Sequence, residues 1–210
     1  MCGRYVLDAK PEKIYQKYHI DTSKQSEKIN FEPMFNIFPS SLLPVITWKN
    51  EFNIEIMKWG MMLNLGKNSY QLINTRRESL IEKPIFLKIF LHQRCLIPAT
   101  GFYEWKTEGK NKTPYKLWLK NIELFSFAGI YNILVDTENK LFKNFSIITT
   151  MPNDLVEKVH NRMPVIFDEE QEKIWLEENS TFEQLSKIIN PFPSREMEME
   201  QVVSFDNKNK

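Results

Sequence analysis

The alternation of apolar and polar residues predicts strands over much of the chain. Residues 42–48 are rich in β-branched and aromatic side chains, a polar turn follows, and apolar residues at 52, 54 and 56 then alternate with polar ones. This is the pattern of a β-hairpin. Further apolar segments, separated by polar turns, predict an antiparallel meander. These segments are residues 95–105, 115–119, 125–134 and 145–149.

Helical spacing of apolar residues predicts several short helices. Near the start, Asp8 is the expected cap and Pro11 lies in the first turn of a helix. Residues 78–92 have helical spacing that is interrupted at Pro84. The remaining predicted helices are residues 152–160, 168–178 with a cap at Asp168, and 181–189. The remaining predicted strands are residues 164–167 and 197–203.

The chain has the organisation of one domain. No linker-like stretch, internal repeat or low-complexity run divides its 210 residues. A chain of this length buries roughly 70% of its unfolded surface in a single core. We therefore predict a single α+β domain with a mostly antiparallel core over residues 2–205, followed by a flexible C-terminal tail at residues 206–210.

Composition and charge exclude several classes of protein. With 42% hydrophobic residues, 13% aromatic residues and a net charge of +1, the chain is unlike a disordered protein or a basic coat for nonspecific DNA binding. No apolar run approaches the roughly 20 residues of a membrane span, and the first residues lack the apolar region of a signal peptide. Two cysteines without a signal peptide favour a reducing, cytoplasmic compartment.

Motifs for bound metals and nucleotides are missing. The six glycines form neither a dinucleotide-binding nor a phosphate-binding loop, and the three histidines and two cysteines have no zinc-ligand spacing. A nucleophile elbow is also absent. An enzyme with this sequence is expected to work without a metal or a cofactor.

Cys2 is the first candidate for chemistry. Removal of Met1 would leave an N-terminal cysteine, which carries an amine and a thiol on adjacent carbons. The reference pKa values, roughly 7.7 to 8.0 for the amine and about 8.5 for the thiol, leave both groups partly nucleophilic near neutrality. An aldehyde forms an imine with such an amine, and the thiol then closes a five-membered thiazolidine ring. The alternative is a cysteine that merely stands second.

Arginines form the second candidate group. Lysine is the common cation here, but several arginines lie in short segments that also hold polar groups of possible catalytic use. The rigid fork of arginine suits phosphate, so a cluster of them would supply a DNA-binding surface that the net charge does not. Surface salt bridges are the alternative. These arginines are Arg4, Arg76, Arg77 and Arg162.

Three other polar residues are candidates for proton transfer or orientation. Glu104 lies between aromatic residues, where apolar surroundings would raise the pKa of its carboxyl group, although a strand glutamate facing solvent is the alternative. His160 has the chemistry of an acid or base near neutral pH, or is a capping or core residue. Asn74 would orient a carbonyl or sugar oxygen, or is an ordinary residue at a strand end.

Six segments of the chain together resemble the SRAP family, the SOS response-associated peptidases. They occur in family order and cover nearly the whole chain. The combination of the N-terminal cysteine with the long block around Glu104 and the segment at His160 is highly specific. The segments are MCGRY at 1–5, FNIFP at 35–39, KWG at 58–60, INTRRE at 73–78, RCLIPATGFYEW at 94–105 and HNRMP at 160–164.

The resemblance implies a sensor of abasic sites in single-stranded DNA. By this resemblance, mature Cys2 forms a stable thiazolidine cross-link with the ring-opened sugar aldehyde, in the company of Asn74, Glu104 and His160. Arg4, Arg76 and Arg162 fall on phosphate-contacting positions, with Arg77 beside them, and Pro39 falls on a position that lines the DNA groove. The implied fold is a single α+β domain with an antiparallel, barrel-like sheet core and peripheral helices.

The chain departs from the family pattern after Trp59 and Gly60. Family members usually continue there with a proline and an aromatic residue that stacks on bases, whereas this chain has Met61 and Met62. The resemblance therefore implies weaker base stacking at that place.

Two other classes of function remain open from the sequence. One is a self-processing N-terminal-nucleophile hydrolase, in which the Cys2 thiolate attacks an amide. The other is a passive single-strand binder, whose affinity would depend on salt but not on Cys2. Cross-linking ranks first, with a lyase activity and peptidase removal of Met1 as further activities. We expect a monomer that binds DNA, not membranes, and that associates with the nucleoid when the DNA is damaged.

Overall fold

The computed structural model describes residues 2–23, 29–65, 68–135 and 138–202, so the predicted tail at 206–210 lies outside the described residues. The strands in these ranges are β1 (Arg4–Leu7), β2 (Met34–Ile37), β3 (Leu42–Trp48), β4 (Phe52–Trp59), β5 (Met61–Leu65), β6 (Asn68–Leu72), β7 (Asn74–Arg76), β8 (Arg94–Ala99), β9 (Gly101–Glu108), β10 (Asn111–Leu119), β11 (Phe125–Val135), β12 (Leu141–Thr150), β13 (Met163–Pro164), β14 (Ile166–Phe167) and β15 (Met197–Gln201). The helices are α1 (Pro11–Lys17), α2 (Arg77–Glu82), α3 (Pro84–His92), α4 (Glu169–Leu176) and α5 (Phe182–Ile188).

A closed five-stranded barrel forms the centre of the molecule. Its strands follow the order β12, β4, β3, β8 and β11, and pairing of β11 with β12 closes the ring. The pairs are antiparallel except for β12 with β4, so the expected mostly antiparallel, barrel-like core is confirmed. Trp59, Phe127 and Phe145 are among its fully buried side chains.

A second, five-stranded sheet lies beside the barrel. Its order is β15, β10, β9, β1 and β2, and all its pairs are antiparallel. Tyr5 connects the two sheets, because its ring packs edge-on against Trp59 and Phe127 of the barrel. Strand β7 pairs in parallel with β12, outside the barrel ring. These contacts bring the start of β1 and the start of β7 together.

Most of the predicted elements are present. The hairpin is β3 and β4, the helical segment at 78–92 divides into α2 and α3 at Pro84, and the last strand is β15. Asp168 and Thr181 each form a capping box at the start of α4 and α5. No helix in the described ranges combines the length and apolarity needed to cross a membrane.

The first helix is present, but the predicted cap is wrong. Helix α1 begins at Pro11, as expected, whereas its cap residue is Lys10, whose side chain makes no capping hydrogen bond. The backbone N–H of Asp8 instead donates to the Thr100 hydroxyl oxygen at 2.9 Å. Asp8 therefore belongs to the contact between β1 and the barrel, because β1 ends only one residue before it.

The predicted simple meander is also wrong. The apolar segment 95–105 is two strands, β8 in the barrel and β9 in the second sheet, and they cross between sheets at Thr100. No polar turn marks this crossing, because every residue of β8 is buried and β9 begins with buried residues. Likewise, the strand predicted at 164–167 is divided into β13 and β14, which pair with different barrel strands.

The helix predicted at residues 152–160 is reduced to one 3-10 turn at Val156–Lys158. Asn153 caps the start of this turn, because its side-chain oxygen accepts the backbone N–H groups of Leu155 and Val156 at 3.1 and 3.0 Å. The turn does not continue as a helix, because the Arg162 N–H donates to the His160 side chain at 3.0 Å and not to a helical carbonyl group.

Candidate active site

The four predicted catalytic side chains come from the two neighbouring sheets. Cys2 and Glu104 belong to the five-stranded sheet, one just before β1 and the other on β9. Asn74 begins β7, and His160 lies in the connection between β12 and β13. The residues are far apart in sequence, so the packing of the two sheets determines their relative positions.

Asn74 binds the Cys2 backbone directly. Its side-chain Nδ2 donates to the Cys2 carbonyl oxygen at 2.8 Å. Asn74 is itself held by pairing of β7 with β12, opposite Ile147. The amide oxygen of Asn74 is buried without a hydrogen-bond partner among the described residues. The side chain therefore fixes the start of the chain and keeps one acceptor available for a further donor.

The Cys2 thiol is enclosed by the protein. Cys2 is fully buried, and its Sγ lies 3.9 Å from the Arg4 carbonyl oxygen. Burial raises the pKa of the thiol well above its ordinary value, and the nearby Glu104 carboxylate raises it further. The thiol is therefore protonated at neutral pH in this structure.

Glu104 faces the interior, not solvent. It is 2% exposed and follows buried Phe102 by two positions, so the alternation of β9 places both on the same face. Burial raises the pKa of the Glu104 carboxyl group to about 7. A carboxyl group with this pKa is present in both protonation states near neutral pH, as a proton donor and acceptor requires.

His160 lies beside Glu104. The distance between His160 Nε2 and Glu104 Oε2 is 3.9 Å, which is longer than a hydrogen bond. The backbone N–H of Arg162 donates to His160 Nδ1 at 3.0 Å, which places the proton of the neutral ring on Nε2, toward Glu104. Burial lowers the pKa of His160, so the neutral ring predominates at pH 7.

The four predicted arginines occupy different environments. Arg4 donates to the Asn36 side-chain oxygen at 2.7 Å and is half-buried. Arg76, at the end of β7, is exposed. Arg77 points to α5, where it contacts the Ser186 carbonyl oxygen at 3.5 Å. Arg4 and Arg76 are thus the two whose positions suit a ligand that reaches Cys2 and Asn74.

Arg162 is built into the protein interior. It is 7% exposed and binds Glu78 through both terminal nitrogens, each at 2.9 Å. It also donates to the Thr149 carbonyl oxygen at 2.6 Å. These bonds join the segment of His160 to α2 and β12. Sequence reasoning did not assign this partner role to Glu78, although the residue is part of the segment at 73–78.

Pro39 lies in the turn between β2 and β3 and is partly exposed. Phe38, directly before it, is exposed and was not predicted as a functional residue. No sequence signal marked it, because the nearby hydrogen bond between Arg4 and Asn36 joins two strands that are distant in the chain. In the part of the chain that the structure describes, no cluster of histidine, cysteine and acidic side chains is arranged to hold a metal ion.

The fold and this site define a class: a single-domain α+β barrel protein that holds a cysteine near its N terminus against an asparagine, a buried glutamate and a histidine. The SRAP family profile, described as SOS response associated peptidase, matches residues 1–208. The chain therefore belongs to the SRAP family.

Known relatives agree with this assignment. Abasic site processing protein YoqW of Bacillus subtilis is 37% identical over 216 residues, which cover 100% of this chain and 96% of that protein. Abasic site processing protein YobE of the same organism is 35% identical, covering 99% and 96%. A crystal structure of a Bacteroides thetaiotaomicron protein superimposes with a TM-score of 0.80 at 27% identity, covering 96% of this chain and 92% of that one.

Proposed function

We propose that this protein recognises abasic sites in single-stranded DNA and binds them covalently through a thiazolidine ring on Cys2. The observation that carries the proposal is the hydrogen bond from Asn74 to the Cys2 carbonyl oxygen beside a buried glutamate whose pKa is raised to about 7. The names of the relatives, abasic site processing proteins, support the same substrate.

The reaction begins once Met1 has been removed and Cys2 carries the free α-amine. The amine adds to the aldehyde carbon of the ring-opened sugar, and loss of one water gives an imine. The thiol sulfur then adds to the imine carbon, while the thiol proton passes to the ring nitrogen. The product is a thiazolidine, and water is the only molecule released.

Glu104 is the proposed proton carrier. Its protonated form donates to the hydroxyl group that leaves as water, and its carboxylate accepts a proton from the attacking amine. His160, with Nε2–H directed to Glu104, assists these transfers and stabilises the carboxylate state. Asn74 holds the Cys2 backbone so that the amine and the thiol approach the same carbon.

DNA would approach over the arginines nearest to Cys2. Arg4 and Arg76 are proposed to contact phosphates, and Pro39 to line the path of the strand. Phosphate contact by Arg77 and Arg162 stays a prediction. The bonds of Arg162 to Glu78 and Thr149 support a positioning role for it, because they leave its guanidinium group little exposed.

A hydrolase with Cys2 as nucleophile is supported less well. Such an enzyme needs a thiolate in its first step, whereas burial and Glu104 raise the pKa of the Cys2 thiol. In the proposed order the amine reacts first, and the thiol is needed only after the imine has formed. Peptide or amide turnover without DNA would favour the hydrolase.

The test is incubation of the mature protein with single-stranded DNA that contains one abasic site, followed by a denaturing gel. Wild type is expected to give a covalent adduct, and intact mass should show that Met1 is absent. Cys2→Ala should give none. The second cysteine provides a matched control, because Cys95 is buried and free, and Cys95→Ala should retain the adduct. An equal adduct yield from Cys2→Ala would refute the proposal.

A further inference from the structure

Phe38 is an exposed aromatic residue at the edge of the candidate site. Its side chain is 54% exposed, and within the described ranges its ring packs against no other aromatic ring. A single exposed phenylalanine is ordinary in a folded protein, so exposure by itself carries no function. The argument depends on where Phe38 is held and on what lies beside it.

The pairing of β1 with β2 places Phe38 next to Arg4. Tyr5 is opposite Ile37 in this antiparallel pair, so Arg4 and Phe38 each adjoin a paired residue at the same end of the two strands. Arg4 is anchored there by its hydrogen bond to Asn36. An aromatic residue and an arginine therefore lie at the same end of this strand pair, and Arg4 is only two residues from Cys2 in the chain.

A tight turn fixes the position of Phe38. The N–H of Ser41 donates to the Phe38 carbonyl oxygen at 3.3 Å, with Pro39 second in the turn and Ser40 third at a positive φ of 75°. These are the features of a type II turn, in which proline fixes the first central residue. The backbone at Phe38 is therefore fixed before a ligand binds, which lowers the entropic cost of binding.

Hydrogen bonds connect the turn at residues 38–41 to the segment that carries Asn74. The Ser40 N–H donates to the Trp59 carbonyl oxygen at 2.8 Å, and the Trp59 indole N–H donates to the Ile73 carbonyl oxygen at 2.8 Å. Ile73 directly precedes Asn74, which binds Cys2. Two hydrogen bonds thus connect the backbone of the turn with the residue that holds Cys2.

We propose that Phe38 is a stacking platform for an unpaired base adjacent to the abasic nucleotide, with Arg4 on the neighbouring phosphate. This rests on the proposed function. The ligand is single-stranded DNA because a rigid exposed ring beside a cation matches its two repeating parts, a base with a π face and a phosphate. Phe38 then determines how the lesion is positioned, while Cys2 performs the reaction.

The first experiment measures binding without chemistry. The probe is single-stranded DNA with a central tetrahydrofuran site, which lacks the aldehyde, and the readout is fluorescence anisotropy. Phe38→Ala is expected to weaken binding roughly tenfold, in the range known for a stacked base. Phe38→Trp should restore the affinity, and Phe38→Leu, which is apolar without a ring, should not. An equal affinity of all four proteins would overturn the proposal.

Phe35→Ala is the matched control. Phe35 is on β2 and 39% exposed, but it lies outside the turn at residues 38–41 that holds Phe38. Its replacement should leave DNA affinity within about twofold of wild type. Circular dichroism and thermal melts of each variant separate a loss of binding from a loss of folding.

A second experiment locates the stacked base. Replacing either base beside the lesion with another tetrahydrofuran unit removes one possible stacking partner. At one of the two flanks, this replacement should weaken wild-type binding by about the same factor as the Phe38→Ala substitution does. It should not weaken the binding of Phe38→Ala any further. Independent losses at both flanks would overturn the proposal, as would a change of oligomeric state without a change in DNA affinity.

These experiments distinguish failure of the stacking role of Phe38 from failure of the proposed cross-linking function. If wild type forms the covalent adduct with aldehyde-containing DNA but Phe38→Ala binds the tetrahydrofuran probe as tightly, only the stacking role fails. If wild type forms no adduct, the cross-linking function fails, and the anisotropy series still reports directly on Phe38.

Discussion

At the scale of single residues, the raised pKa of Glu104 has a measurable consequence for the reaction rate. The free α-amine, with a reference pKa of roughly 7.7 to 8.0, must be neutral to attack, whereas Glu104, with a pKa of about 7, must be protonated to release water. We therefore predict that the cross-linking rate rises and then falls with pH, with its maximum between about 7 and 8. Single-turnover kinetics across this range would measure it.

The same pH profile of the cross-linking rate should be measured for the isosteric variant Glu104→Gln. It should lower the rate and remove the alkaline fall, because glutamine neither donates nor loses a proton in this range. If the cross-linking rate of Glu104→Gln fell at alkaline pH as the wild-type rate does, the fall would belong to the titration of another group.

The same pKa also predicts how stability depends on pH. The folded-state pKa of Glu104, about 7, exceeds the ordinary value of 4.5, so the folded protein binds more protons between these values. The stabilising contribution is therefore complete below about pH 4.5 and is lost as pH rises through 7, by roughly 3 kcal/mol in all. Urea unfolding at pH 5 and pH 8 should show this fall in wild type and a smaller one in Glu104→Gln.

Cys2, Asn74, Glu104 and His160 were predicted together as site residues from short motifs and from the family resemblance, without the distances between them. That Glu104 is interior followed only from the register of β9, because aromatic neighbours fit both faces of a strand. Phe38 was not among the predicted site residues, because its proposed role depends on the neighbouring strand β1, which no local pattern shows.

At the scale of secondary-structure elements, one buried arginine connects two helices to the barrel. Arg94, the first residue of β8, donates to the Phe90 and Leu91 carbonyl oxygens of α3 and to those of Trp175 and Glu177 at the end of α4. A cation is favourable at helix C termini, where carbonyl groups lack partners. Burial lowers the pKa of Arg94 to about 10, so the guanidinium group stays charged at neutral pH.

We predict that Arg94→Lys lowers the free energy of unfolding by about 2–4 kcal/mol, since lysine cannot reach four carbonyl groups on two helices at once. Urea denaturation would measure the loss. Arg195→Lys is the matched control, because the Arg195 side chain is 85% exposed, and its stability should be unchanged. Equal stability of Arg94→Lys and wild type would show that the carbonyl contacts add nothing.

Local patterns predicted individual elements better than their connections. The capping boxes at Asp168 and Thr181 and the break at Pro84 depend on neighbouring residues, and all three are present. The division of 95–105 between two sheets depends on where distant strands pair, and β8 is buried along its whole length, so no periodicity marked it. Sequence patterns therefore did not predict which distant strands pair with each other.

At the scale of the whole molecule, charge is nearly balanced, with 28 basic and 27 acidic side chains. Affinity for single-stranded DNA should then depend on a few placed cations. With the two phosphate contacts proposed for Arg4 and Arg76, the logarithm of the binding constant should fall with the logarithm of salt concentration with a slope of roughly −1.4. Anisotropy titrations with the tetrahydrofuran probe at several salt concentrations would measure this slope.

Arg76→Ala should reduce the steepness of that slope by about 0.7, which corresponds to one phosphate contact on a single strand. Arg195→Ala, which removes an exposed arginine paired with Glu196, should leave the slope unchanged. If Arg76→Ala changed affinity equally at all salt concentrations, its contact would not be with phosphate.

The complete burial of Cys2 has a further consequence for a living cell. An exposed 1,2-aminothiol reacts with small aldehydes and oxidants that reach it. A thiol kept protonated and enclosed reacts slowly with such oxidants. Under the proposed function, this burial would protect Cys2 until single-stranded DNA with an abasic aldehyde engages the surrounding surface.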